Sequence, residues 1–251
     1  MSVQIIPVDQ QGYGAFNGGE IVENKPIGFP QDRASIRPYS NLFYWAHAKA
    51  VTDSTIGLHP HQGFEICSFV LKGEIKHYDT KLKEWRRLQA GDVQIIRAGN
   101  GISHSEWMGK GAEMFQIWFD PNLQKTLEQA ASYDDYNADR FPIHQQGNAR
   151  ITQIVGGTSP FEMDSPKVNV QRIRLSAGTA TFTLDPSLIY SYYVLEGNLR
   201  FNDDATQSSD FILVKAENQL NIHTEGDAEL FLISSPAELG YRTYSQLRAA
   251  H

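Results

Sequence analysis

Apolar side chains recur along this chain in short runs, not in long helical stripes. Residues 64–71, 93–96, 113–119, 168–175, 190–195, 211–214 and 229–233 are rich in β-branched and aromatic residues. Gly, Asn and Asp punctuate them, at Lys72-Gly73, Gly91-Asp92, Glu196-Gly197-Asn198 and Asn202-Asp203-Asp204. Many short strands at such spacing predict an all-β sandwich or barrel. One stretch has a helical period instead. Pro121 suits a first helical turn, and Leu123, Leu127 and Ala131 recur at i, i+4 and i+8, which predicts a helix from Pro121 to about Tyr136. A weaker helical pattern covers residues 237–247.

The strand pattern repeats. Phe69-Val-Leu-Lys-Gly-Glu-Ile-Lys-His-Tyr-Asp79 echoes Tyr193-Val-Leu-Glu-Gly-Asn-Leu-Arg-Phe-Asn-Asp203, with Gly197 lying 124 positions after Gly73. A second echo, residues 92–100 against 210–218, has an offset of 118. Two echoes in the same order predict a duplicated β unit, divided in the polar stretch 137–148.

Composition narrows the class. The 251 residues are 41% hydrophobic and 20% charged, as in ordinary globular proteins. A net charge of −7 without a run of basic residues speaks against direct nucleic-acid binding. No segment approaches the roughly 20 apolar residues of a membrane span, and the first residues lack a secretory pattern. Cys67 is the single cysteine, so no disulfide forms within the chain, and a cytoplasmic setting is expected. Cys67 lies in the apolar run Ile66-Cys-Ser-Phe-Val-Leu71, which predicts a buried small hydrophobe and not a nucleophile.

Four residues carry the candidate chemistry, in two i, i+2 pairs: His59-Pro-His61 and His104-Ser-Glu106. Side chains two apart on a strand share a face. Pro60 favours extended geometry at the residue before it. Two such strands side by side would gather three imidazoles and one carboxylate around a point. That set suits a first-row transition metal, Fe, Mn, Co, Ni, Cu or Zn. A structural zinc site would more often use cysteine and leave no open position.

The context of these pairs resembles a known family. Residues 55–66, Thr-Ile-Gly-Leu-His-Pro-His-Gln-Gly-Phe-Glu-Ile, followed by Phe69-Val-Leu-Lys-Gly-Glu-Ile75, Gly91-Asp-Val-Gln94 and Ala98-Gly-Asn-Gly-Ile-Ser-His-Ser-Glu106, resemble the pirin family of the cupin superfamily. The resemblance is dense from about Tyr39 to Asp120. It implies a bicupin of two stacked cupin β-barrels. It assigns one metal ion, usually iron and here most simply Fe(II), to His59, His61, His104 and Glu106. The corresponding domains are residues 1–136, metal-binding, and 137–251, without a metal site.

Some family members are similar to quercetin 2,3-dioxygenases, which open a flavonol with dioxygen and release carbon monoxide. Glu106 would then be the catalytic base for a small aromatic substrate. Others are iron-bearing regulators with a protein partner. A different cupin enzyme, such as an isomerase, is a third possibility. Two positions depart from the family pattern. Trp118-Phe-Asp-Pro-Asn122 stands where pirins often have Trp-x-Asn-Leu-Pro, and Gln62 where arginine is frequent. Both lie near the expected mouth of the site.

Offsets of 124 and 118 map the four ligand positions onto Thr183, Asp185, Ile222 and Thr224, so no second histidine pair is expected; His223 is a neighbour without partners. Glu65 is expected either to accept a hydrogen bond from a metal-bound imidazole or to serve the fold. His77 is expected to line the barrel or face solvent, with substrate orientation as the sharper alternative. His47, His144 and His251 receive no role. Phe64, Phe69, Met114, Phe115 and Trp118 could wall an apolar pocket, although most should be core.

Overall fold

The structure, a computed structural model, describes residues 3–248. Strands dominate it. In chain order they are β1 (Val3–Ile6), β2 (Gly12–Phe16), β3 (Ile21–Ile27), β4 (Leu42–Ala50), β5 (Ser54–His61), β6 (Glu65–Lys72), β7 (Glu74–Asp79), β8 (Trp85–Gln89), β9 (Val93–Arg97), β10 (Ile102–Met108), β11 (Glu113–Phe119) and β12 (Ser132–Tyr136). There follow β13 (Ile143–Gln146), β14 (Ala149–Val155), β15 (Asn169–Leu175), β16 (Gly178–Thr183), β17 (Leu188–Glu196), β18 (Leu199–Phe201), β19 (Asp204–Thr206), β20 (Phe211–Lys215), β21 (Gln219–Thr224) and β22 (Ala228–Pro236). The runs read from the sequence all fall on strands. No described helix is long and apolar enough to cross a membrane.

The chain divides into two compact units. One holds Gln11–Ala138, Met163–Pro166 and the segment from Gly240 onward; the other holds residues 3–10, Asp139–Glu162 and Lys167–Leu239. The first contains a seven-stranded sheet, β12-β9-β6-β11-β4-β3-β2, and a four-stranded sheet, β5-β10-β7-β8. The second contains β1-β20-β17-β22-β15-β14-β13 and β16-β21-β18-β19. No sheet closes on itself. Each core lies between its two sheets: Ile21, Ala48, Val70, Ile75, Leu88 and Met108 meet in the first unit, and Ile173, Val194, Leu199, Phe201, Ile222 and Leu230 in the second. Central strands such as β22 are buried along their whole length, and Leu230–Ile233 form an unbroken apolar run within it. The edge strand β16 alternates buried and exposed positions.

The duplication extends to individual hydrogen bonds. Val70 N–H donates to Asp92 O at 3.0 Å, and Val194 N–H to Asp210 O at 3.0 Å. Asp92 Oδ2 accepts from Gln89 N–H at 2.8 Å, and Asp210 Oδ2 from Gln207 N–H at 2.9 Å.

The long helix is a correction. Helix α1 covers only Leu123–Thr126, capped by Asn122 Oδ1. Residues 132–136 form the strand β12, paired antiparallel with β9. The apolar spacing is real but does not define one buried face, since Leu123 is buried and Leu127 is 41% exposed. A free sheet edge captures the tyrosine-bearing segment that follows, and tertiary pairing overrides local period. The second helical stretch shortens to α2 (Tyr244–Arg248), beyond Gly240.

Candidate metal centre

His59 and His61 end β5, and His104 lies on β10 directly opposite His59 in the antiparallel ladder. The pairing brings all three imidazoles together. Their ring centroids are 4.4 to 4.8 Å apart, and one candidate ligand atom from each lies within 4.8 Å of the others. His59 Nε2 and His104 Nε2 are 3.0 Å apart. Two nitrogens each about 2.1 Å from one ion, at a right angle, are separated by about that distance. His61 Nε2 is buried without a hydrogen-bond partner, which a metal would satisfy. The donor set therefore fits a transition metal. Burial, then repulsion from neighbouring imidazoles, lowers the His61 pKa to about 3 and the His104 pKa to about 2. Both rings are neutral at pH 7, with lone pairs available. Among the described residues this is the one group of three or more with metal-ligand spacing.

A β-bulge aims His59. His104 pairs with His59, but Glu106 pairs with Ile56, so β5 carries one extra residue across Gly57 and Leu58. The bulge turns the Gly57 carbonyl toward the ring, where it accepts from His59 Nδ1–H at 2.7 Å. That bond fixes the tautomer and leaves Nε2 as the free donor atom. The partner unit's ladder has no such bulge: Phe182, Thr181 and Ala180 pair in step with Leu220, Asn221 and Ile222.

Glu106 is buried nearby but stands outside the imidazole group. Its Oε1 accepts from Ser68 Oγ–H at 3.2 Å and its Oε2 from Gln116 Nε2–H at 2.6 Å. Each carboxylate oxygen retains further lone-pair capacity.

The remaining candidates separate. His77 is fully buried, 5.7 Å from the His104 ring, and stacks on Tyr133 at 4.4 Å. Its Nε2–H donates to Asp79 Oδ2 at 2.8 Å, and its buried Nδ1 has no partner. Burial would raise the Asp79 carboxyl, but bonds from Leu82 N–H, His77 and Lys81 N–H outweigh it and hold the pKa down. Glu65 serves the fold: it accepts Asp164 N–H at 2.6 Å and Ser165 N–H at 2.8 Å, fastening the 163–166 segment. Cys67 is fully buried, and burial pushes its thiol pKa far up, so it is no nucleophile. His47 bonds Glu113 at 3.0 Å, His144 lies on the exposed strand β13, and His223 Nδ1 is 3.0 Å from Thr179 Oγ1. His251 lies outside the described residues. Phe69, Met114 and Phe115 are core. Trp118 meets His61 edge-on at 4.9 Å.

The ladders also replace the offset arithmetic for the second unit. Register places Phe182, Leu184, Leu220 and Ile222 opposite the roles of His59, His61, His104 and Glu106, not Thr183, Asp185, Ile222 and Thr224. The β5 bulge and unequal loops cause the difference. All four are core residues.

A cavity of about 520 Å³ reaches His61, lined by Pro60, Gln62, Thr80, Asn100, Gly101, Ile102 and Ser103. Beside it lies an apolar trough of about 400 Å³, lined by Phe64, Leu123, Leu127, Tyr244 and Leu247, with Gln62 and Gln124. Gln62 borders both.

A family model described as Pirin matches residues 28–119. A pirin-like protein of Caulobacter vibrioides is 30% identical over 202 residues, covering 77% of this chain and 83% of that protein. The chain belongs to the pirin family. A quercetin 2,3-dioxygenase of Escherichia coli is 26% identical to this pirin over 205 residues, with 78% and 85% of the two chains covered. The bacterial pirin YhhW of Escherichia coli, solved in complex with nickel(II), shares the fold at a TM-score of 0.79 and 20% identity, covering 94% of this pirin and 100% of that chain. A quercetin 2,3-dioxygenase from Acinetobacter baumannii does so at 0.79 and 21%, covering 99% and 86%. The segment matched by the family model spans β4 to β11, which in this pirin carry the imidazole group, Glu106 and the cavity.

Proposed function

We propose that this pirin is a metal-dependent dioxygenase that opens a flavonol such as quercetin with molecular oxygen. The observation that carries the reading is the 520 Å³ cavity reaching His61. A small molecule can approach the imidazole group there, whereas a purely regulatory iron carrier would need only a sealed ion beneath a flat surface. The relatives named quercetin 2,3-dioxygenase support the substrate class. We assign the metal to His59, His61, His104 and Glu106, with Fe(II) first and Mn, Co, Ni, Cu or Zn as alternatives. The two sheets of each unit read as a cupin barrel, metal-binding in the unit built on Gln11–Ala138 and without metal in the other, in a cytoplasmic protein.

A bound ion would acidify a chelated hydroxyl and hold the reactants together. The chain's own residues do the rest. Glu106, placed by Ser68 and Gln116, accepts the proton of the flavonol hydroxyl. Trp118, edge-on to His61, covers one side of that ring. The trough lined by Phe64, Leu127 and Tyr244 receives the aryl substituent, and Gln62 sits on the rim shared with the cavity. Oxygen uptake by metal-reconstituted protein on a panel of flavonols tests the reading. Flavonol-dependent uptake is expected, and its absence in fully loaded protein would remove the dioxygenase function.

A further inference from the structure

Three polar side chains inside the N-terminal unit form a chain of hydrogen bonds with one direction, from Gln94 through Ser68 to Glu106, and the Tyr133 hydroxyl stands at its head between Gln94 Oε1 and Asp135 Oδ2. The Tyr133 hydroxyl lies 3.3 Å from Gln94 Oε1, Gln94 Nε2–H donates to Ser68 Oγ at 3.0 Å, and Ser68 Oγ lies 3.2 Å from Glu106 Oε1. Ser68 already receives an amide N–H that cannot accept, so its own proton goes to the carboxylate. Gln116 closes the other side, 2.6 Å from Glu106 Oε2. Ser68 and Gln94 are fully buried, Gln116 and Glu106 nearly so. Tyr133 is held in turn by its stack on His77.

The second unit shows that the fold does not require these groups. Ser68 pairs with Gln94 on one side and Gln116 on the other. The corresponding ladder pairs Tyr192 with Ile212 and Leu232. Opposite Glu106 in role is Ile222. The same strand order thus packs a mostly apolar interior where no imidazole group exists, with the buried Tyr192 hydroxyl left without a partner, and a hydrogen-bonded polar cradle where one does. Buried polar groups with no role in folding mark a functional constraint.

We propose that Ser68, Gln94 and Gln116, anchored by Tyr133, are positioning residues that hold the Glu106 carboxylate for the metal, with Gln116 as the principal donor. The inference rests on the proposed metal set and not on the proposed substrate. Metal-bound groups are oriented by the hydrogen bonds behind them, and losing one costs about 10–100-fold in affinity.

The test is a titration of metal-free protein with Co(II) against a competing chelator, for wild type, Gln116→Met, Ser68→Ala, Glu106→Ala and the Gln116→Met/Glu106→Ala double variant, with a thermal melt of each. Gln116→Met should weaken Co(II) binding at least about tenfold without lowering the melting temperature, because Leu232 shows that an apolar side chain suits that register. Ser68→Ala should weaken binding less, guarding against a Gln116 variant that fails to fold. In the Glu106→Ala background Gln116→Met should add less than about twofold, since its effect passes through the carboxylate. Unchanged affinity in both single variants, or an equal loss with and without Glu106, would overturn the positioning role alone. Absence of Co(II) binding by wild type would overturn the metal assignment and the positioning role together.

Discussion

Asp120 offers a sharp test of how burial sets charge in this pirin. It ends the β11 segment, where its Oδ2 accepts Tyr244 N–H at 2.5 Å and its carbonyl accepts Tyr241 Oη–H at 2.7 Å. Its Oδ1 is buried without a partner. Burial raises the carboxyl from 3.8 to about 6, only partly opposed by the Tyr244 bond. A carboxyl whose folded pKa exceeds its unfolded one stabilises the fold fully below pH 3.8 and loses that contribution as pH rises through about 6. Two pKa units correspond to about 3 kcal/mol at pH 8, and under about 1 kcal/mol of this is lost already at pH 4. Asp120→Asn keeps an acceptor for Tyr244 and removes the ionisation. It should therefore stabilise the N-terminal unit by about 2–3 kcal/mol at pH 8 and hardly at all at pH 4. Denaturant unfolding at both pH values measures this, and hydrogen exchange of the Tyr244 amide localises it. An equal gain at both pH values would mean that geometry and not charge is responsible. Loss of stability at pH 8 would mean that the charge-assisted bond to Tyr244 outweighs burial.

Three further outcomes follow from the imidazole group. Protein purified without chelator should carry about one equivalent of transition metal, and His223→Ala should not change that content; two equivalents, measured by elemental analysis, would refute a single site. His59→Ala should lose most metal affinity yet remain folded by circular dichroism, because the core between the sheets does not depend on the ion; an unfolded variant would make the metal structural. Glu106→Gln should lower flavonol turnover per bound metal by at least about 100-fold if Glu106 takes the proton; turnover per metal near wild type would confine Glu106 to coordination.

Much of this arrangement is legible in the sequence because it is local. The strands β6, β11 and β17 appear as apolar runs, and the His59/His61 and His104/Glu106 pairs appear as side chains sharing a face. What is hidden depends on partners far along the chain. Nothing local shows that β12 pairs with β9 or that β1 joins β20. Helical spacing at Leu123 and Leu127 misleads because Leu123 is buried and Leu127 exposed, so the period marks no single buried face. The bulge at Gly57 and Leu58 is also unreadable without the opposite strand, and it shifts the correspondence between the two units by one residue. Ser68, Gln94 and Gln116 carry a faint signal, as polar residues inside apolar strands. Their convergence on Glu106 depends on the ladder register.

The two units also separate what the strands require from what the site requires. In the second, Phe182, Leu184, Leu220 and Ile222 fill the interior, and each apolar side chain so buried contributes about 1.5–3 kcal/mol. In the first, the same positions hold three imidazoles and a carboxyl group, whose desolvation opposes folding by about 1–3 kcal/mol for each group left unpaired. Pairing removes part of that cost: Gly57 O satisfies His59, and Ser68 and Gln116 satisfy Glu106. It leaves His61 Nε2 and His104 Nδ1 unmet. A fold that can close on hydrocarbon, but here keeps lone pairs converging beside an open cavity, holds stability in reserve for a ligand. The unmet His61 nitrogen and the 3.0 Å approach of the other two Nε2 atoms give that ligand the chemistry of a metal ion.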